Sequence, residues 1–310
     1  MNVSLIVCTY NRAALLETML ESAARVHVPE GVTWKVLVVD NNSTDGTRQV
    51  VERLASRLPC CYLAEPRQGK SFALNTGIGR ASGEIVAFTD DDVTLDPGWL
   101  EGVARAFASP GCFGIGGRIL PVWPGPKPSW YVDAGPYRLM MGVIVRYDHG
   151  DVAREIEMLP FGANMAFRRE AFTRYGGFRT DLGPVGGRMM LGEDSEFCHR
   201  IRAGGEHIFY VPDAVAYHPV PPARMRKAYF LSWYYRRGLF DVAAEPVPAG
   251  TVRWLGVPRW LFRDLAREAW RWLVTLDGPR RFHHKATSYR EVGRIVGHYH
   301  QARASRRSEP

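Results

Sequence analysis

Four short runs of apolar and β-branched residues, at 3–8, 34–39, 60–64 and 85–88, are separated by stretches at 13–25, 47–58 and 70–81 whose apolar residues recur at helical spacing. The alternation constrains the fold more than composition does. A continuous apolar run at 3–8 reads as a strand covered on both faces, and helices supply that cover. The expectation is an α/β domain with a mostly parallel central sheet flanked by helices. Ligands in such sheets gather beyond the carboxyl ends of the strands. Thr9, Asp40 and the run Asp90-Asp91-Asp92 stand at those ends, so residues far apart in sequence should line one crevice.

Three adjacent carboxylates repel one another and either take up a proton or hold something positive between them. Oxygen ligands of this kind favour a hard divalent ion, Mn²⁺ or Mg²⁺. Taken alone, Asp90 to Asp92 also fit a solvated turn, and Asp194, at the start of an expected helix over 193–203, fits a helix cap. Local chemistry does not explain why Asp40, the triple run and Glu193-Asp194 should converge.

Beyond residue 110 the pattern changes. Residues 114–136 are rich in Gly, Pro and Trp, and 137–157 carry β-like stretches, which suggests an antiparallel or irregular insertion. From 225 onward the chain is basic and aromatic, with a tail after 301 whose composition points to disorder. The 310 residues carry a formal net charge of +8, which suits nucleotide phosphates, nucleic acid or an acidic membrane surface. Five cysteines (Cys8, Cys60, Cys61, Cys112, Cys198) form an odd set without zinc-site spacing, so a reduced, cytoplasmic location is the simpler expectation. The N-terminus reads as a first strand and not a signal peptide, and no apolar run approaches the roughly 18 residues of a membrane span.

The ordered set Val7-Cys8-Thr9-Tyr10-Asn11-Arg12, Val39-Asp40-Asn41-Asn42-Ser43, Asn75-Thr76-Gly77, Asp90-Asp91-Asp92 and Gly192-Glu193-Asp194 resembles the family 2 glycosyltransferases of GT-A fold, most clearly over 1–100 and 160–220. The resemblance implies an inverting, metal-dependent transfer of sugar from a nucleotide-diphosphate sugar, with UDP as the first base to try, in glycan, cell-surface polysaccharide or glycolipid biosynthesis. It places Thr9, Asn11 and Arg12 on a loop facing the nucleotide, Asp40 on the base N–H, and Lys70 and Asn75 beside the nucleotide. Asp92 becomes the direct metal ligand and Asp90 lies nearer the ribose while sharing the metal. Asp91 occupies a donor-side position that need not be acidic. Asp194 becomes the general base with Glu193 in support, and His218 a third metal ligand. Asn164 falls near donor or acceptor, and Trp130 and Tyr131 offer rings on which an acceptor sugar could stack; core or lid packing is the alternative for all three.

Arg236 and Arg237 sit where family members place an arginine over the leaving diphosphate, although a snorkelling pair on an amphipathic helix explains them equally. The segment lacks the Gln-x-x-Arg-Trp form of processive synthases, which points to single additions. The implied layout is 1–110 as the nucleotide-sugar half, 111–222 as the acceptor and catalytic half, 223–300 as a helical extension and 301–310 as a disordered tail. The acceptor is saccharide, lipid-linked or small. Trp, Leu and Arg at helical spacing over 254–274 fit a peripheral contact with the inner face of a membrane, or packing on the catalytic domain or a homodimer partner. Two other readings stand beside the transferase. A nucleotidyltransferase would usually carry a Gly-rich basic loop where Thr9-Tyr10-Asn11-Arg12 stands, and an inactive nucleotide-sugar-binding module would not need both Asp92 and Asp194. A nucleic-acid partner leaves the ordered acidic sites unexplained.

Overall fold

The computed structural model describes residues 1–156, 158–183, 192–244 and 247–307. Two compact units divide the chain: Met1–Val122 with Val145–Pro219, and Trp123–Ile144 with Val220–Pro310.

The first unit begins with β1 (Asn2–Thr9), α1 (Ala13–Ala23), β2 (Thr33–Asp40), α2 (Thr47–Leu54), β3 (Cys60–Ala64), α3 (Lys70–Arg80) and β4 (Ile85–Asp90), the alternation read from the sequence. It continues through β5 (Thr94–Leu95), α4 (Trp99–Phe107), β6 (Gly114–Val122), β7 (Arg154–Glu155), β8 (Asn164–Arg168), α5 (Glu170–Tyr175), α6 (Glu193–Ala203) and β9 (Ile208–Pro219). The sheet runs β3-β2-β1-β4-β8-β6-β9-β5, with β7 paired to β9. Its first four strands are parallel; β8 enters antiparallel to both β4 and β6, and β6 pairs parallel with β9. Leu5, Ile6, Val7, Val36, Val38 and Val39 are fully buried, as double-sided cover requires. Gly117 on β6 has no room for a side chain, since a Cβ there would run into the Asn164 amide and the Ala214 carbonyl.

The second unit holds α7 (Lys227–Ala244), the two-stranded β10 (Arg253–Trp254) and β11 (Val257–Pro258), α8 (Arg259–Val274) and α9 (Gly278–Arg307). Helix α7 lies against α9 at backbone distance, because Gly238 and Gly293 face each other without side chains. The fully buried Asp241 carboxylate takes Arg237 on one oxygen at 2.7 Å and Arg290 on the other at 2.6 Å.

Two expectations need revision, and a third holds. The acceptor half assigned to 111–222 is divided, since Trp123–Ile144 joins the C-terminal unit. The stretch at 137–157 is the antiparallel, irregular insertion expected, with a 3-10 turn at Met141–Val143 and the two-residue β7 antiparallel to β9. Helix α9 extends through Arg307, so 301–307 are helical where composition suggested disorder; 308–310 lie outside the described residues.

Candidate active site

Register assembles the crevice. Parallel pairing sets Thr9 beside Asp40 and Cys8 beside Asp90 at the carboxyl ends of β1, β2 and β4. After the acidic run the chain pairs β5 with β9, Thr94 opposite Tyr217, which brings the next residue of β9, His218, to Asp92. His218 Nε2 lies 3.6 Å from Asp92 Oδ1, and its Nδ1 lies 2.8 Å from the Pro219 carbonyl. A carbonyl only accepts, so Nδ1 carries a proton, and in the neutral tautomer Nε2 presents its lone pair toward the carboxylate. Asp92 Oδ1 is buried without a hydrogen-bond partner. In that tautomer two acceptors face each other, an arrangement that a cation between them would satisfy. One ligand atom each from Asp90, Asp92 and His218 lie within 4.8 Å of one another, and the backbone-anchored imidazole is the usual support for a metal-binding histidine. These residues fit a divalent ion.

Asp91 is directed into the protein. It is 4 % exposed, accepting from the Thr9 hydroxyl at 2.8 Å on one oxygen and from the Arg12 guanidinium at 2.8 Å on the other. Burial raises its pKa despite the arginine. Arg12 also reaches Asp92 at 3.2 Å, so Asp91 fixes the arginine that steadies the neighbouring carboxylate. Asp91 therefore spends both carboxylate oxygens on the Thr9–Arg12 loop.

Lys70, the first residue of α3, donates to Asp90 at 2.7 Å and lies 3.8 Å from Glu193. Burial works to lower the ammonium's pKa, but the charges of Asp90 and Glu193 outweigh it and hold it above the ordinary lysine value. Burial likewise works to raise Asp90, and Lys70 reverses the sign, so the Asp90 carboxyl stays below its usual range. Glu193 goes the other way: burial pushes it up to about 7, against the pull of Lys70 and aided by Asp194. Asp194 stands in the first turn of α6, with Oδ2 accepting from the Gly162 N–H at 3.0 Å and Oδ1 from the Ser195 N–H at 2.7 Å. Two N–H donors at the start of the helix hold the side chain in one orientation.

At the other end of the crevice Asp40, 4 % exposed, accepts from the Ser43 N–H at 2.8 Å and the Tyr62 hydroxyl at 2.7 Å. Burial and that bond raise the Tyr62 phenol to about 12. Asn11, at a positive φ of 51°, accepts from the Thr44 N–H at 2.7 Å and ties the Thr9–Arg12 loop to the turn after β2. Sequence reasoning missed Tyr62 and the Gly162 amide. Neither carries a local signal, because one is a tyrosine in an edge strand and the other a main-chain donor.

Several expected site residues are occupied elsewhere. The Asn75 amide is spent on the backbone of Phe178, donating to its carbonyl and accepting from its N–H, both at 2.8 Å. Asn164 is 2 % exposed, accepting from Trp99 Nε1 at 2.9 Å and donating to the carbonyls of Arg118 and Ala214 at 3.0 and 2.8 Å. It joins β6, β8, β9 and α4 instead of bordering a sugar. Asn164→Ala is expected to cost about 2–4 kcal/mol by leaving those buried groups unpaired, read as a lowered urea midpoint; unchanged stability with weakened donor binding would restore the sugar contact. In the second unit Tyr131 is core, 6 % exposed, whereas Trp130 is half-buried with its ring edge-on to Phe230 and Phe282. Arg236 is exposed on α7, whereas Arg237 is paired with Asp241.

Comparison with known proteins matches residues 4–176 to the model of glycosyl transferase family 2. The succinoglycan biosynthesis protein ExoM of Rhizobium meliloti is 28 % identical over 241 residues, 77 % of this chain and 73 % of the relative. A glucosyl-dolichyl phosphate glucuronosyltransferase of Haloferax volcanii is 26 % identical over 223 residues, 70 % of this chain and 69 % of the relative. Among solved structures, a Pyrobaculum calidifontis mannosyltransferase in complex with GDP-Man and Mn²⁺ superposes with TM-score 0.56 at 24 % identity, over 99 % of this chain and 75 % of the other. S. aureus TarS residues 1–349 with UDP-GlcNAc gives TM-score 0.56 at 17 % identity, over 99 % and 92 %. At these identities the structures establish a shared GT-A fold.

Proposed function

The chain belongs to glycosyl transferase family 2, and we propose that it moves a sugar, with inversion, from a nucleotide-diphosphate donor, UDP first, to an acceptor hydroxyl of a growing glycan or glycolipid. The Asp92–His218 pair carries the reading, because a buried carboxylate oxygen without a partner opposite an imidazole lone pair is chemistry prepared for a cation. Mn²⁺ suits two carboxylates with one imidazole better than the harder Mg²⁺. When bound on Asp90, Asp92 and His218, the metal would supply Lewis-acid stabilisation of the charge left on the departing diphosphate.

The chain's own groups account for the rest. Arg12, held by Asp91, orients Asp92, and Lys70 keeps Asp90 ionised. Asp194, fixed by the Gly162 and Ser195 amides, takes the acceptor's proton as the acceptor oxygen attacks the anomeric carbon from the face opposite the leaving diphosphate. A single displacement of that kind inverts the anomeric centre. Asp40 accepts the N–H of a uracil ring, with Tyr62 fixing its orientation. The names of the Rhizobium and Haloferax relatives support a saccharide or lipid-linked acceptor. The five cysteines are all thiols, which supports a reducing, cytoplasmic compartment.

Donor choice is tested by thermal unfolding with Mn²⁺ and a panel of nucleotide diphosphates and their sugars. UDP and one UDP-sugar should raise the midpoint, since a ligand bound only to the folded state stabilises it in proportion to ln(1 + [L]/Kd). A shift with GDP compounds alone would overturn the base assignment; no shift with any of them would overturn the donor.

A further inference from the structure

Seven of the fifteen large apolar residues that stand exposed among the described residues fall within 252–276, a concentration that scattered surface residues would not produce. Helix α8 shows how they are arranged. Leu261 and Glu268 on its inner side are buried and the helix packs on α9, so Arg259, Arg263, Ala266, Arg267, Trp270 and Leu273 form the outer stripe. The stripe begins with arginines and ends in Trp270, Leu273 and Val274, 63, 66 and 52 % exposed, followed by Leu276 at 95 %. At the start of the helix, the β10–β11 hairpin projects Trp254 at the end of β10 and Leu255 in its turn, 55 and 73 % exposed. Within 252–285 eight Lys and Arg residues oppose three Asp and Glu, so this segment supplies +5 of the formal charge of +8.

We propose that the outer face of α8, with the β10–β11 turn and the start of α9, is a docking surface for an anionic lipid bilayer. Apolar side chains at both ends of the stripe would enter the headgroup boundary, where tryptophan is favoured, while Arg259, Arg263 and Arg281 meet lipid phosphates. Charge selects this occupant over a second copy of the chain. A second copy of the stripe would bring the same net positive charge to the contact, whereas an acidic surface complements it. The helix is too polar to cross a membrane, so the contact lies in the plane of the interface.

The test is flotation of the full chain with phosphatidylcholine vesicles, with and without phosphatidylglycerol, in the absence of donor, so that its result is independent of the transferase reading. Binding should favour anionic vesicles by about tenfold or more and weaken with salt. Trp270→Ser with Leu273→Ser should lower the partition coefficient by about tenfold or more through lost apolar burial. Arg263→Gln with Arg281→Gln should lower it by about tenfold on anionic vesicles only. Unfolding midpoints should stay at the wild-type value, because all four side chains are exposed. Equal flotation of wild type and both variants would overturn the proposal. So would a wild-type dimer in lipid-free buffer that the Trp270→Ser, Leu273→Ser variant separates into monomers, since a second copy would then cover the stripe.

Discussion

Asp92→Ala is expected to abolish measurable Mn²⁺ binding and to lower sugar transfer by about a thousandfold or more, equivalent to about 4 kcal/mol of transition-state stabilisation. The size follows from position. Asp92 places one oxygen opposite His218 Nε2 and receives Arg12 on the other, so its loss removes a ligand and leaves the arginine with Asp91 alone. His218→Ala should be milder, with about 10–100-fold weaker metal binding, because the acidic pair remains. Asp91→Asn distinguishes a ligand from its support: it should weaken Mn²⁺ less than Asp92→Ala does, because Asp91 faces Thr9 and Arg12. Calorimetric titration with Mn²⁺ reads all three. An Asp92→Ala protein that binds Mn²⁺ with wild-type affinity would remove Asp92 from the metal site.

The parallel half of the sheet was legible because its signals are local. Strand β3 at Cys60–Ala64 and helix α6 at Glu193–Ala203 coincide with the sequence-based expectation, and the acidic residues fall at strand ends as the alternation requires. What escaped depends on long-range pairing. Nothing local to Trp123–Ile144 says that it folds with residues beyond 220, since Tyr131 becomes core, with the half-buried Trp130 packed beside it, only when Phe230 and Phe282 arrive. Asn164 illustrates the same limit at one side chain: an asparagine after a glycine turn looks exposed, and only the approach of Trp99 and Ala214 shows it to be a buried junction. In the acidic run, sequence indicates that a cation is needed. The division of labour, with Asp91 turned inward and Asp90 and Asp92 turned toward His218, is a property of the β5–β9 pairing.

Asp194→Asn is expected to lower kcat by about 10²–10⁴-fold while leaving the donor-induced thermal shift close to wild type, because an amide of the same shape keeps the contact to Gly162 and cannot take a proton. Glu193→Gln is the necessary comparison, since both carboxyls lie in the first turn of α6 and Glu193 is the one that burial moves to about 7. A carboxyl raised from 4.5 to about 7 on folding is bound more tightly to its proton in the native state, so ionising it opposes folding. Wild-type stability should therefore fall as pH rises through that window, and Glu193→Gln should flatten the slope without losing more than about tenfold in turnover. Urea denaturation between pH 4.5 and 7 measures the slope, and initial transfer rates measure the turnover. If Glu193→Gln is the dead enzyme and Asp194→Asn the active one, the base is Glu193. The two neighbours then exchange roles: a carboxyl of pKa near 7 would accept the acceptor's proton, and Asp194 would serve to keep the Gly162 turn in place.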